Sequence, residues 1–137
     1  MAFVLKAVPY YLDALDREDW VSAVLTVKVQ PEGPPLVDYH YTATRSIEAV
    51  WRAYLEGQGG LRLSRSFYGV GRYRPDRDAP EPWRWPAFFG DEVGPRVPTV
   101  PYRVCVRYHM ESRSGVERDS GPFCSDWVYP ESSEQEG

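Results

Sequence analysis

The sequence predicts a mainly β fold, an antiparallel sandwich or open barrel. It is expected to carry one amphipathic helix at about 46–57 and a long proline-rich arm over 75–101. Three observations predict this. Apolar residues recur at period two in several short segments, Pro and Gly clusters separate those segments, and the C-terminal part folds back on itself in one favourable register. The 137 residues are the size of one ordinary domain, and 42% apolar with 26% charged residues exclude disordered and collagen-like classes.

Phe3 to Val8 reads as a first strand ended by Pro9, and Tyr10 to Asp16 as a helical turn. Trp20 to Val29 places Val21, Ala23, Leu25, Val27 and Val29 on one face, the pattern of a half-buried strand. Pro31, Gly33, Pro34 and Pro35 then make a turn. Leu36 to Ala43 follows as a strand with Val37, Tyr39 and Tyr41 on one side.

Two templates compete over Ser46 to Gly57. As a helix, Ile47, Val50, Trp51, Tyr54 and Leu55 form one stripe, with Ser46 as N-cap and Gly57 as stop. As a strand, Ile47, Ala49, Trp51 and Ala53 share a face. The helix accounts for more apolar residues and is the expectation. Leu61 to Arg74 reads as a strand, with Gly69 and Gly71 marking a bulge or bend. From Pro75 to Pro101, seven of the 13 prolines fall in one stretch, so neither a helix nor a central strand persists there.

A hairpin turn at Ser114-Gly115 makes residues summing to 229 face each other. That register pairs Val100 with Tyr129, Tyr102 with Trp127, Val104 with Ser125 and Val106 with Phe123 on an apolar face. Arg103 with Asp126, Cys105 with Cys124, and Glu111 with Arg118 fall on the other. Pro122 opposite Arg107 implies an edge position or a bulge.

Little in the chain resembles catalytic machinery. Cys105 and Cys124 form a cross-strand disulfide or remain idle thiols; the start of the chain shows no secretory signal, and thiols are the default in a cytosolic host. No metal-ligand spacing, nucleotide loop or nucleophile elbow occurs, and no metal or cofactor is expected. His109 shares a strand face with Cys105 but lies about 13 Å away, too far for a thiolate–imidazole pair. His40 lies opposite Tyr39 and Tyr41 and reads as solvated.

Two segments point to binding instead. Arg62, Arg65, Arg72, Arg74 and Arg77 alternate with Phe67, Tyr68 and Tyr73, a composition suited to single-stranded nucleic acid or simply to a solvated strand face. Trp83, Trp85, Phe88 and Phe89 lie within seven residues of the proline-rich arm. Side chains this large pack either on the chain's own core or on a partner. The tail over 131–137 is acidic and polar.

From Pro34 to Glu131 the chain resembles a degenerate fibronectin type III domain. Pro34-Pro35-Leu36 is similar to the family's opening, and Ser46-Ile47-Glu48-Ala49-Val50-Trp51 to its second strand with a buried tryptophan. Tyr102 to Arg107 resembles the strand with the corner tyrosine, and Gly121 to Val128 the closing strand. The cysteine pair and the proline arm have no counterpart in that family. The resemblance implies an adhesion or assembly module with no catalytic residues.

The expectation is therefore a non-enzymatic structural or assembly subunit, with Trp83, Trp85, Phe88 and Phe89 binding neighbouring protein subunits. Fourteen Arg against two Lys, one Ile and no Asn fit a GC-rich genome, and a phage capsid or tail component is the setting that suggests. The alternatives are a nucleic-acid-binding accessory protein using Arg62, Arg65, Arg72 and Arg74, and a small enzyme or ligand-binding barrel lined by tyrosines. A net charge of −4 weighs against nucleic acid. No apolar run is long enough to span a bilayer, so a cytoplasmic or virion-associated location is expected.

Overall fold

A computed structural model describes residues 11–12, 14–15, 19–75 and 82–130. It contains β1 (Val21–Lys28), β2 (Leu36–Ala43), β3 (Ile47–Gly57), a 3₁₀ turn (Gln58–Gly60), β4 (Phe67–Tyr73), β5 (Trp83–Arg84), α1 (Trp85–Phe88), β6 (Tyr102–Glu111) and β7 (Glu117–Cys124). The strands form two antiparallel sheets. One has the order β1-β2-β5 and the other β4-β3-β6-β7, as in a sandwich rather than a closed barrel. The strand expected at Phe3 to Val8, Arg77 and the acidic tail lie outside the described residues, and the turn at Tyr10 to Asp16 is described only in part.

The inner faces follow from the period-two pattern. Val21, Leu25 and Val37 of the first sheet meet Ile47, Ala49, Ala53 and Leu55 of β3 and Tyr102, Val104, Val106, Tyr108 and Met110 of β6 in one buried cluster. No helix among the described residues is long and apolar enough to cross a membrane.

Ile47–Gly57 is a strand, not the expected helix. The reason is its place between β4 and β6, which covers it on both edges while both of its faces are partly buried. Ile47, Trp51 and Leu55 point between the sheets. Tyr54, on the opposite face, is covered by the Arg62 guanidinium at 3.7 Å from its ring centre and is 4% exposed. A central strand clothed on both faces loses its clean alternation and mimics a helical stripe.

The glycines of β4 mark no bulge, since Gly69 faces Trp51 and Gly71 faces Ala49 in an unbroken register. They are small because rings lie against them. A Cβ at Gly69 would stand 2.6 Å from Trp51 Cζ2, and one at Gly71 would stand 2.7 Å from Tyr73 Oη. The strand is also shorter than expected, because Leu61 to Ser66 pairs only through the single bridge Arg62 to Glu56.

The β6–β7 hairpin keeps the expected pairs Cys105 with Cys124 and Val106 with Phe123. Nearer the turn the register differs by one, with Met110 opposite Arg118 and Glu111 opposite Glu117, so the expected Glu111–Arg118 pair is not formed. The turn is a three-residue loop. Ser112 N–H donates to Val116 O, and Gly115 takes φ +96°, a conformation that favours glycine. A register shift between Val106 and Tyr108, beside Gly121 and Pro122, takes up the extra residue. Two irregularities of one residue thus cancel at the cysteines. Farther out, Tyr102 pairs with Val128 rather than Trp127, and Arg103 bonds Glu56 of β3 instead of reaching Asp126 as its expected partner, with Nη2 to Oε1 at 2.6 Å.

Candidate functional site

The arm residues separate into two groups. Pro86 sits in the first turn of α1, where its missing N–H costs nothing, and the four-residue helix drops Trp85 and Phe88 into the sandwich with Phe89 behind them. The three are 2%, 8% and 1% exposed. Trp85 Nε1 donates to Pro95 O at 2.7 Å, and its ring meets Phe89 edge-on at 5.0 Å and Tyr102 at 6.1 Å between ring centres. Phe88 packs on Tyr39 and Phe89 on Phe67. These side chains belong to the chain's own core, so they are not the free anchors the sequence expectation named. Trp83 alone of the four keeps a surface, at 39% exposed.

Trp83 lies on the two-residue edge strand β5, paired with Val37. It stands at the mouth of a cleft of about 290 Å³ between the sheets, lined chiefly by Tyr39, Tyr41, Trp51, Tyr73 and Phe88, with Arg72 at the rim. The lining is mostly apolar and concave, as small-molecule and side-chain pockets generally are. Tyr41 and Tyr73 meet edge-on at 4.8 Å, and Tyr39 and Tyr41 lie 6.2 Å apart.

The polar groups of the cleft divide sharply. The hydroxyls of Tyr39 and Tyr108 are hydrogen-bonded to each other. Burial raises the pKa of both phenols, and of Tyr73, well above the ordinary value. Tyr102, at the far end of β6, is pushed up to about 12 by burial. Tyr41 Oη is different: it is buried and has no hydrogen-bond partner among the described residues. A hydroxyl left so costs about 1–3 kcal/mol. The oxygen itself has almost no accessible surface, although the Tyr41 ring lines the cleft.

The arginines expected to touch nucleic acid do not line one groove. Arg62 is stacked on Tyr54 and bonds Ser66 Oγ at 2.8 Å; Arg65 bonds Asp91 Oδ2 at 3.0 Å and covers Phe67. Asp91 is itself fixed by the backbone N–H of Val93, then of Gly94, which together with Arg65 lower its pKa. Arg72 reaches Glu48 at 3.5 Å. Arg72 and Arg74 lie at the opposite end of β4 from Arg62 and Arg65, on a shallow basin shared with Arg45, Arg113, Glu48 and Glu111.

Both histidines are half-exposed and engaged by carboxylates. His40 Nε2 lies 2.7 Å from Asp38 Oδ1, and His109 Nδ1 lies 2.6 Å from Asp119 Oδ1. Cys105 and Cys124 are joined as a disulfide across β6 and β7, with Cα atoms 4.1 Å apart. No group of three potential metal ligands occurs among the described residues. Sequence reasoning named Trp83 but not its companions Tyr41, Trp51 and Tyr73. Their only signal was the shared inward parity on three separate strands, which needs the strand order to become a site.

No protein-family model matches the chain, and no curated protein and no solved structure matches it either.

Proposed function

We propose that the chain is a non-enzymatic assembly module, a β-sandwich that holds a neighbouring protein subunit through its open side. One observation carries the reading: the half-exposed Trp83 at the mouth of an aromatic cleft whose Tyr41 hydroxyl is buried without a partner. A tryptophan beside a preformed pocket is the usual anchor of a protein interface. Two antiparallel sheets in a sandwich-like arrangement are compatible with such a module, since many adhesion domains share that architecture. The disulfide differs from the immunoglobulin kind, since it joins neighbouring strands of one sheet and not the two sheets.

The test is a photo-crosslinking residue placed at Trp83 and, in a second variant, at Val24. Val24 is 69% exposed on β1, away from the cleft. In cells that make the chain, position 83 is expected to give a discrete protein adduct and position 24 none. Equal yields from both positions, or no adduct from either, would remove the reading.

A further inference from the structure

The long edge of the second sheet has an order of residues that complements itself. β4 reads Phe67-Tyr68-Gly69-Val70-Gly71-Arg72-Tyr73 and pairs along its whole length with β3, while no strand among the described residues pairs with its other edge. About Val70 the strand is nearly palindromic: a glycine on each side, then Tyr68 and Arg72, then Phe67 and Tyr73. Its outward face is largely open, with Tyr68 75% and Val70 64% exposed and the Arg72 side chain 81% exposed.

Sheet edges are ordinarily protected by brevity, proline, inward charge or covering elements. The other edges here are so protected. β5 is two residues long, β7 carries Pro122 beside its register shift, and β1 packs against β7. β4 has no proline, is seven residues long and presents the exposed Tyr68 and Val70, with Arg72 as its one charge.

We propose that β4 pairs antiparallel with β4 of a second copy of this chain, about a two-fold axis at Val70. This rests on the assembly reading and names the neighbour. In that pairing Val70 faces its own counterpart, each Tyr68 faces the Arg72 of the other copy, and the glycines oppose each other. An arginine over a tyrosine ring is attractive, and the two-fold supplies that contact twice. The order of side chains, ring against guanidinium, is what selects a second copy as the occupant. An antiparallel neighbour that sets a cation over Tyr68 and an aromatic ring beside Arg72, which also reaches Glu48, suits this edge, and β4 offers both at the required spacing. The two four-stranded sheets then join into one, a pairing by strand addition.

Light scattering behind size exclusion, on the full chain from micromolar to millimolar concentration, tests this together with three substitutions at exposed positions. The unaltered chain is expected to pass from the mass of one chain to that of two. Tyr68→Glu, which sets a carboxylate opposite the second copy's Arg72, keeps the dimer. Tyr68→Arg, which sets two cations opposite each other twice over, weakens it about tenfold or more. Val70→Lys places two ammonium groups on the axis and leaves one-chain mass throughout. Thermal melts of each variant confirm that it is folded. A one-chain mass at every concentration overturns the proposal, as does an equal loss from Tyr68→Glu and Tyr68→Arg, the mark of a patch without this register. If the chain stays monomeric while position 83 still crosslinks to a different protein, self-pairing fails and the assembly reading stands.

Discussion

The two sides of the sandwich solve the same problem in opposite ways. On the closed side, β1 packs against β7 and Trp20 fills the seam, fully buried, with the guanidinium carbons of Arg45 and Arg118 at 4.4 and 4.5 Å from its ring centre. Thr44 N–H donates to Trp20 O at 3.0 Å, and Ser120 Oγ donates to Asp19 Oδ1 at 3.4 Å. On the open side the corresponding gap between β5 and β4 is left as a cleft, and its tryptophan, Trp83, stays 39% exposed. Both tryptophans sit at a junction between sheets. One completes the core; the other keeps surface beside a cleft whose Tyr41 hydroxyl has no partner among the described residues. The proposed binding surface is thus the place where the sheets are not sewn together.

The largest test of this contrast compares alanine at the two tryptophans. Trp20→Ala is expected to destabilise the chain by about 3–5 kcal/mol in urea unfolding, because a fully buried indole is lost and the two arginines have nothing to cover. Trp85→Ala belongs with it, since that ring is 2% exposed and its Nε1 is bonded. Trp83→Ala is expected to cost about 1 kcal/mol or less. A loss at Trp83 as large as at Trp20 would make the open side part of the core and remove the contrast.

A subtler perturbation acts on the cleft wall. Gly69→Ala drives a Cβ to 2.6 Å from Trp51 Cζ2, and the same ring also lies close to Gly90, where a Cβ would stand 3.1 Å from Cη2. The ring must shift, against the 89–91 turn or into the cleft that it lines. The expected cost is about 1–3 kcal/mol, with a change in tryptophan fluorescence as Trp51 shifts. Gly71→Ala meets chiefly the hydroxyl end of Tyr73, at the tip of the ring rather than along its body, and is expected to cost less. Equal costs at the two glycines would mean that β4 itself, and not the Trp51 ring, sets the tolerance.

Much of this arrangement was legible in the sequence, for reasons that differ by element. β1 and β2 have one face inside and one outside, so their period-two pattern survives and their bounds were read within a residue or so. The Cys105–Cys124 pairing was legible because an apolar face, charges and cysteines all constrain one register. The turn residues were not, since the three-residue loop and the shift at Arg107 compensate each other in the sum of paired numbers. β3 was misread because its second face is covered by Arg62, a residue from another loop, which no local pattern reveals. The arm was legible as something that must be covered. Whether by its own chain or by a neighbour depended on how Pro86 starts a helix, and that separates Trp83 from Trp85 by a single turn. Of the cleft only Trp83 and a general expectation of a tyrosine-lined site were legible: its rings come from strands that meet only once the sheet order is known.

The smallest expected effect probes the outer face next to the closed side. His109 on β6 is directly opposite Asp119 on β7, and Glu117 Oε1 lies 3.7 Å from its Nε2. The hydrogen bond to Asp119 raises the imidazole pKa above 6.5, the charges of Asp119 and Glu117 add to it, and slight burial works against them. A pKa raised in the folded state means that the pair contributes its full stability below about pH 6.5, and that the contribution disappears as pH rises through the folded value. With half of the His109 side chain and two-thirds of that of Asp119 in solvent, the contribution is expected to be about 0.5 kcal/mol or less. Proton NMR of the imidazole should therefore show a midpoint above 6.5 that falls back toward 6.5 in Asp119→Asn, with hardly any change in melting temperature. An unmoved midpoint would mean that Asp119 does not hold the ring in solution. If the midpoint falls and the melting temperature falls by several degrees with it, this surface pair takes part in sewing the closed side, and the seam extends beyond Trp20 to the outer face of β7.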